Sequence, residues 1–160
     1  MDWISVPSPI GSLGVAADAT AVHAVRFAGP PVEAASSPSP VHGLAAAQLA
    51  EYFAGTRTEF ALPLAVTGGS GFERAVWDVI AGIPYGEMMT YGEIAAKVGV
   101  PDGARAVGIA CNRNPLPVVI ACHRVVGAGG KLVGFGGGLP RKRFLLELEA
   151  RVTIEQTFAG

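Results

Sequence analysis

The chain has 160 residues, of which half are apolar and only 16% are charged, which is enough apolar material for one compact domain or for one domain with a small appendage. A formal net charge of −1 predicts no general affinity for polyanions, and two cysteines exclude a disulfide framework. The N-terminus lacks the pattern of a signal peptide, and no run of about 18 apolar residues could span a membrane. We therefore expect a cytoplasmic protein with no membrane partner, whose cysteines stay free thiols.

Charge is unevenly divided along the chain. Residues 1–66 hold five acidic and two basic side chains, whereas residues 67–160 hold eight acidic and ten basic ones. This asymmetry favours the C-terminal part as the place for an anionic partner, although chance alone produces imbalances of this size.

Residues 1–66 are predicted to form strands and one helix. The segment IGSLGVAADATAVHAVRFAG indicates two short strands joined by a turn at residues 18–20. The Pro-, Ser- and Ala-rich segment 30–41 is typical of a loop. In LAAAQLAEYFAG, apolar residues at helical spacing predict a helix that ends at Gly55, and EFALPLAV is predicted to be a further strand.

The part that begins near residue 67 is predicted to be mainly helical. A first helix is predicted from an apolar stripe that follows Ser70, a candidate N-cap, and this helix is expected to end at Gly82. A second helix is predicted in TYGEIAAKVG, between Thr90 as N-cap and Gly99, and a third in ARAVGIACNRN after the turn VPDG. Two helices joined by a short turn are a candidate helix-turn-helix, although such pairs are also common in small helical proteins.

The C-terminal third begins with PLPVVIACHRVV, which predicts a short buried strand. The dense glycines of GAGGKLVGFGGG predict a loop with close backbone approach, and LPRKRFLLELEA predicts a closing helix with Pro140 near its start. Metal binding is disfavoured, because the two cysteines are eleven residues apart and form no Cys-x-x-Cys pattern. The glycine-rich loop also lacks the context of a Walker or dinucleotide-binding motif.

Cys122 stands beside His123 and Arg124 in this apolar stretch. A free thiol is mostly protonated at neutral pH, so a reactive cysteine needs a base, and the base needs an orienting carboxylate. On a strand adjacent side chains point to opposite faces, so His123 could reach the thiol only at a turn or through a water. From this pair alone an inert, buried cysteine is the stronger interpretation. The candidate carboxylates are Glu147, Glu149 and Glu155.

Six segments, taken in order, are more specific than any one of them. They are IPYGEMMTYGEIAAKVG, ARAVG, NRNP, CHRVVG, GGKLVGFGGG and RKRFLLELE. In this order they closely resemble the O6-alkylguanine-DNA alkyltransferases, also called methylated-DNA–protein-cysteine methyltransferases. The resemblance is strong over residues 68–150 and looser over residues 1–66, where SPIGSL and LAEYFAG carry it.

This resemblance implies an α/β fold class, with a small ribonuclease H-like α/β domain over residues 1–66. Residues 67–160 would form a helical, winged-helix-like domain that contains the helix-turn-helix. The implied function is DNA repair by direct reversal, in which the alkyl group of O6-alkylguanine, and also of O4-alkylthymine, moves to Cys122 in one self-inactivating turnover. The implied partner is double-stranded DNA entered from the minor groove. The protein is expected to be a monomer without cofactor or metal, and cooperative binding along DNA stays open.

The family motifs also imply roles for single residues. Cys122 is the expected acceptor, His123 takes its proton through a bridging water, and Glu149 orients His123. Asn114 is expected to brace the segment before the thiol. Flipping a base out of the duplex leaves a gap, which Arg105 would fill while Tyr91 presses on the 3′ phosphate. Further expected DNA contacts are Ala104, Gly108 and Arg113, and the expected pocket residues are Cys111, Val125, Phe135 and Gly136, with Val125 and Gly136 offering backbone groups.

Three positions depart from the family pattern. Ala121 stands where the family usually has proline, which loosens the backbone that leads to the thiol. Phe135 stands where it often has tyrosine, so this side chain can pack against a base but cannot donate a hydrogen bond to it. Cys111 adds a second thiol on the expected recognition helix.

Each residue taken alone has an ordinary structural explanation. Tyr91 could be a core residue, Arg105 a solvated one, and Glu149 a surface partner of Arg143 or Arg151. The rival functions are a non-catalytic lesion binder of the same fold, a helix-turn-helix regulator and a cysteine hydrolase. The joint order of the six motifs favours alkyl transfer over all three.

Overall fold

The computed structural model describes residues 2–31 and 38–159, and its chain divides into two compact units, Met1–Thr67 and Gly68–Gly160. Each unit has its own internal packing. In the described ranges, none of the helices combines the length and the apolar character that crossing a bilayer requires.

The first unit is a three-stranded antiparallel sheet with one helix packed on it. The strands β1 (Asp2–Val6), β2 (Leu13–Ala17) and β3 (Val22–Arg26) lie in the order β1-β2-β3. The predicted hairpin of β2 and β3 is confirmed, and in its turn Asp18 Oδ1 accepts a 2.8 Å hydrogen bond from the Thr20 amide. Because β2 is central and faces the helix, all of its residues are buried.

Helix α1 (Pro40–Phe53) begins earlier than the sequence pattern predicts. Proline suits the first turn of a helix, where no amide is required, and the Ser39 amide donates a 2.9 Å hydrogen bond to His42 Nδ1. The predicted loop 30–41 is therefore wrong at its last two residues, and residues 32–37 of it lie outside the described part of the chain.

Two strand assignments in this unit differ from the sequence prediction. The segment EFALPLAV does not form a regular strand, and only Leu64 makes an isolated bridge, to Val22. Pro63 has no amide to donate to a ladder, which prevents continuous pairing on both sides. Strand β1 was not predicted, because its five residues form a strand through pairing with β2 and carry no clear period of their own.

The second unit is mostly helical, as expected. Its helices are α2 (Gly71–Ala81), α3 (Tyr91–Lys97), α4 (Ala104–Asn112) and α5 (Leu139–Ala159). Both predicted N-caps are confirmed: the hydroxyls of Ser70 and Thr90 accept hydrogen bonds from the amides of Glu73 and Glu93. The α/β fold class, with a sheet unit and a helical unit, is thereby confirmed.

Helices α3 and α4 pack on each other across the turn 98–103, which makes the predicted helix-turn-helix. The inner face of α4 packs on α2, where the indole nitrogen of Trp77 donates a 2.8 Å hydrogen bond to the Ala110 carbonyl. Before α3, the short strand β4 (Met89–Thr90) pairs in parallel with β5 (Val125–Val126). This pairing joins the start of the helix-turn-helix to the segment that follows Cys122.

The buried strand predicted in PLPVVIACHRVV is wrong except at β5. Pro115 and Pro117 lack amides, and Val118 has a φ of 72°, a conformation that a β-branched residue rarely adopts and that bends the chain. Cys122–Arg124 then form one turn of 3₁₀ helix. The chain therefore turns at the cysteine, which was one of the two conditions under which His123 could serve it.

Candidate active site

Cys122 is buried at the start of its 3₁₀ turn and follows an irregular segment that Asn114 holds in place. Asn114 Nδ2 donates a 2.7 Å hydrogen bond to the Ile120 carbonyl, and its Oδ1 accepts one of 2.9 Å from the Leu116 amide. Both hydrogen bonds are buried, so they are not weakened by competing water. Asn114 therefore braces the chain that leads to the thiol.

The Glu149 carboxylate collects hydrogen bonds from three directions. His123 Nε2 lies 2.7 Å from Oε2, and the Arg124 guanidinium donates at 2.8 Å to Oε1 and at 3.0 Å to Oε2. The Gly86 amide donates at 3.1 Å to Oε1. The third nitrogen of Arg124 is also occupied, because Nη1 donates to the Ile83 carbonyl at 2.7 Å. The result is a fully buried cluster with a balanced charge.

Protonation in this cluster follows from its contacts. Burial alone would raise the pKa of Glu149, but hydrogen bonds from His123 and Arg124 outweigh it and hold the pKa well below its usual range. Burial lowers the pKa of His123, and the hydrogen bond to Glu149 offsets only part of that effect. The imidazole is therefore neutral beside an ionised carboxylate. Its Nε2 carries the hydrogen that Glu149 accepts, which leaves Nδ1 as the nitrogen with a lone pair.

The alternative in which Glu149 pairs on the surface is wrong, because its carboxylate is buried against His123 and Arg124. Arg151 instead lies 3.8 Å from Glu155, one helical turn further along. Of the three candidate carboxylates, Glu149 is the one that contacts the histidine.

Gly86 can reach Glu149 only as glycine. Its φ is +78°, and a β-carbon added there would collide with Thr153 Oγ1. This backbone conformation lies in the left-handed region, which residues with a side chain disfavour. The hydrogen bond from the Gly86 amide to Glu149 therefore requires glycine at this position.

Lys142 is a buried site residue that sequence reasoning missed. Its ammonium group donates hydrogen bonds to the carbonyls of Val125 at 2.6 Å and Gly134 at 3.2 Å, and to the Tyr91 hydroxyl at 3.3 Å. The Tyr91 hydroxyl donates in turn to the Val133 carbonyl at 2.9 Å. All three ammonium hydrogens are therefore used, and together they tie the glycine-rich loop to β5 and α3.

A sequence signal for Lys142 exists, because it falls at helical spacing with the buried residues Leu145 and Glu149 of α5. The neighbouring Arg141 and Arg143 concealed it, since a run of three basic residues normally indicates a solvated face. Arg124 carried no comparable signal, because its partner is distant in the sequence.

The two thiols have raised pKa values. For Cys122 the main cause is burial, which the hydrogen bond from Asn114 and the positive charge of Lys142 oppose only in part. Burial, together with the neighbouring Cys122, raises the pKa of Cys111 to about 12. Both residues are therefore thiols at neutral pH; the charge of Lys142 favours the thiolate at each, and Cys122 has in addition the hydrogen bond from Asn114.

A cavity of about 430 Å³ opens where the helix-turn-helix meets the glycine-rich loop. It brings together four of the predicted DNA-contacting residues, which are Tyr91, Ala104, Arg105 and Gly108. The rest of the lining is Ile109, Asn112, Val133 and Gly134. Arg105 is exposed at this opening, whereas burial raises the pKa of Tyr91 to about 12 and keeps its hydroxyl protonated.

Other predicted residues have different surroundings. Within the described part of the chain, the cavity lining does not include the predicted pocket residues Cys111, Val125, Phe135 and Gly136. The Val125 carbonyl already accepts the Lys142 hydrogen bond, and the Phe135 ring centre lies 6.0 Å from Lys142 Nζ. Gly136 faces the end of α4, and Arg113 is exposed with its Nη1 atom 3.4 Å from Glu73. Across residues 2–31 and 38–159, no group of three or more His, Cys, Asp and Glu side chains could hold a metal ion.

Comparison with known proteins decides the family. The family model for the DNA-binding domain of 6-O-methylguanine DNA methyltransferase matches residues 71–151. The family model for the ribonuclease-like domain of the same protein matches residues 1–66. The chain belongs to the 6-O-methylguanine DNA methyltransferase family. The resemblance stated from the six motifs is thereby confirmed.

Relatives support this assignment over nearly the whole chain. The methylated-DNA–protein-cysteine methyltransferase of Mycobacterium leprae is 46% identical over 153 residues, which are 91% of this chain and 90% of the relative. That of Methanosarcina acetivorans is 51% identical over 105 residues, 66% of this chain and 67% of the relative. The crystal structure of Mycobacterium tuberculosis OGT in complex with DNA has a TM-score of 0.85 at 41% identity, covering 95% of this chain and 94% of that one.

Proposed function

We propose that the protein repairs DNA by direct reversal and that Cys122 is its acceptor. The protein is a methylated-DNA–protein-cysteine methyltransferase, as its family and relatives indicate. The observation that carries the assignment to Cys122 is its place at the start of a turn whose next residue, neutral His123, is held by ionised Glu149. A sulfur nucleophile with an oriented base is the arrangement that displacement at carbon requires.

In the proposed reaction the sulfur of Cys122 attacks the alkyl carbon on guanine O6. A carbon–sulfur bond forms as the carbon–oxygen bond breaks, and its electron pair leaves with guanine O6. The thiol proton passes through a bridging water to Nδ1 of His123, the nitrogen that holds the lone pair. The resulting imidazolium is stabilised by the Glu149 carboxylate, while the charge of Lys142 favours the thiolate beforehand. The thioether is stable, so each molecule reacts once.

The protein binds DNA, and we propose that α4 enters the minor groove. Ala104 and Gly108 leave the outer face of α4 low enough for a duplex to approach closely. Arg105 would occupy the gap in the stack, Tyr91 would press on the 3′ phosphate, and Arg113 would contact the backbone. Entry of the flipped base would then depend on the glycine-rich loop, whose residues Phe135 and Gly136 would come to wall the pocket once the base is bound.

We propose that residues 67–160 carry both DNA binding and the acceptor thiol and that residues 1–66 form a ribonuclease-like domain, which the family models matching residues 71–151 and 1–66 support. We propose action as a monomer on O6-alkylguanine and O4-alkylthymine, with Cys111 as a pocket residue. A cytoplasmic location is supported by both cysteines being free and buried.

A mass measurement tests the proposed function. The protein is incubated with duplex DNA that contains one O6-methylguanine, digested, and analysed by mass spectrometry. We expect one methyl group on the peptide that contains Cys122, and none on the peptide with Cys111. The Cys122→Ser variant should bind the same DNA and leave the lesion intact. An unmodified Cys122 after saturation with lesion DNA would refute the proposal.

A further inference from the structure

Helix α4 carries one large apolar side chain on its outer face. Ile109 is 50% exposed, although Val107 and Ala110 on the inner face of the same helix are buried. A single exposed isoleucine is ordinary in itself, so its significance depends on its neighbours. Those neighbours belong to the proposed DNA-binding cavity, because Ile109 lines it together with Arg105 and Tyr91.

Ile109 lies one helical turn after an exposed cation. Arg105 precedes it by four residues, so the two side chains share the side of α4 that lines the cavity. Arg113 lies just after the last residue of α4, and its guanidinium approaches Glu73 of α2 instead. The minor groove has a matching pattern, with phosphates along its rims and the apolar edges of sugars and bases between them. Arg105 and Ile109 therefore place a cation and an apolar side chain next to each other at the cavity, where a duplex entered from this groove would meet both.

Gly108 makes the isoleucine protrude further. A β-carbon added at Gly108 would meet only the Tyr91 ring, at 3.8 Å, which is an ordinary contact. Packing inside the protein therefore does not require glycine here, although glycine weakens a helix relative to alanine. The missing side chain lowers the outer surface beside Ile109, where a partner would approach.

We propose that Ile109 is a DNA-positioning residue, an apolar wedge that enters the minor groove one turn from Arg105 and packs against the base step beside the extruded guanine. This inference rests on the proposed function and adds a residue to it. A wedge that unstacks a step lowers the cost of extrusion and prevents the base from returning. Its contribution should be confined to DNA, because Ile109 is half-exposed on the outer face of α4, whereas Cys122, His123 and Glu149 are buried.

Reaction rates on three substrates test the wedge. For Ile109→Ala we expect repair of O6-methylguanine in duplex DNA to slow by about tenfold, since several buried apolar carbons are lost from the complex. Repair in single-stranded DNA should change by less than about twofold, because no stack has to be opened. The rate with free O6-benzylguanine should be unchanged. Ile109→Leu, which keeps the apolar volume, should recover most of the duplex rate.

A matched control is available on α5. Ile154 is 58% exposed and does not line the cavity, so Ile154→Ala removes the same atoms from an unrelated surface. It should leave all three rates unchanged. A duplex rate for Ile109→Ala equal to that of the wild type, or an equal loss on all three substrates, would overturn the inference.

A second measurement reports unstacking directly. In the Cys122→Ser background, which cannot complete the transfer, the protein is bound to a duplex with 2-aminopurine next to the lesion. We expect the 2-aminopurine fluorescence to rise when Cys122→Ser binds, and to rise less when the protein also carries Ile109→Ala and the DNA is equally saturated. An equal rise with both proteins would contradict the wedge. The two hypotheses fail separately: an unmethylated wild-type Cys122 refutes the proposed function, whereas normal methylation with an unaffected Ile109→Ala refutes only the wedge.

Discussion

Glu149 shows how one side chain sets the protonation of a site. Its two oxygens accept hydrogen bonds from His123, from Arg124 and from a main-chain amide, so both oxygens of the buried carboxylate are hydrogen-bonded. Arg124 supplies the positive charge that keeps the carboxylate ionised while the histidine stays neutral. Without the arginine, the buried carboxylate and imidazole would have to share a proton, and the base would be lost.

Burial of neutral His123 predicts a pH dependence of stability. Its pKa is lowered in the folded state, so between that value and the unfolded pKa of about 6.5 the unfolded chain binds the extra proton. Stability is therefore unaffected above this window and falls as pH decreases below about 6.5, by at most about 1.4 kcal/mol per pH unit. Urea unfolding measured at several pH values checks this.

The comparison variant for this prediction is His123→Gln, which has no titrating ring at this position. As pH falls below about 6.5, the unfolding free energy of this variant should decrease less steeply than that of the wild type. If wild type and variant lose stability in parallel between neutral and mildly acidic pH, the histidine is not the cause.

Lys142 is expected to act on the thiol through its charge. Lys142→Met removes the cation that opposes the raised pKa of Cys122, so the thiolate forms less readily. We expect the pH profile of the reaction with free O6-benzylguanine to move to higher pH, and the rate at neutral pH to fall about tenfold for every pH unit that the profile moves. Lys131→Met, which removes an exposed lysine from the glycine-rich loop, is the control. A lower rate with an unchanged profile would indicate a purely structural role.

At the scale of elements, the irregular segment before Cys122 replaces the strand that its composition predicts. Two prolines and the positive φ of Val118 prevent ladder pairing, and the side chain of Asn114 provides hydrogen bonds in place of a neighbouring strand. An apolar, β-branched run reveals burial but not conformation, because both a strand and a braced loop bury such residues.

Loss of the Asn114 brace should be costly. Asn114→Ala leaves the Ile120 carbonyl and the Leu116 amide buried without this partner, which predicts a loss of about 2–4 kcal/mol of unfolding free energy. Asn112→Ala, at an exposed position two residues earlier, should change the unfolding free energy by less than about 0.5 kcal/mol. Equal effects of the two substitutions in urea unfolding would contradict the bracing role.

Helices with local signals were predictable from the sequence, whereas contacts made by tertiary packing were not. The capping residues Ser70 and Thr90 locate α2 and α3 because a cap acts within four residues. The His123–Glu149 pair could be inferred only through the family motifs. Arg124 and Gly86 were missed because their partners lie far away in sequence, and no local period records such pairs. Lys142 was missed although it falls at helical spacing, because Arg141 and Arg143 beside it suggest a solvated face.

At the scale of the whole molecule, the division into two units separates a sheet from the chemistry. Cys122, His123, the cavity and the exposed Arg105 all belong to the unit Gly68–Gly160. This is also the part of the chain with the excess of basic residues, so the charge asymmetry seen in the sequence coincides with the proposed DNA-binding surface.

Alkylation of Cys122 should destabilise this unit. A methyl group adds bulk to the buried sulfur of Cys122, and overpacking of an interior costs about 1–3 kcal/mol. We expect the melting temperature to fall by about 5 °C after reaction with O6-methylguanine DNA and removal of the DNA. Cys122→Ser carried through the same treatment should melt unchanged. Identical melting of methylated and unmethylated wild-type protein would show that the pocket accommodates the group.

The buried thiol of Cys122 has a further consequence, for selectivity among electrophiles. Small alkylating agents dissolved in water meet a sulfur that is protonated and shielded, and a protonated thiol is a poor nucleophile. In the proposed reaction, by contrast, an alkyl group still attached to its base is held against the sulfur while His123 accepts the proton. Because the sulfur can be used only once, its low reactivity towards everything in solution preserves it for the lesion.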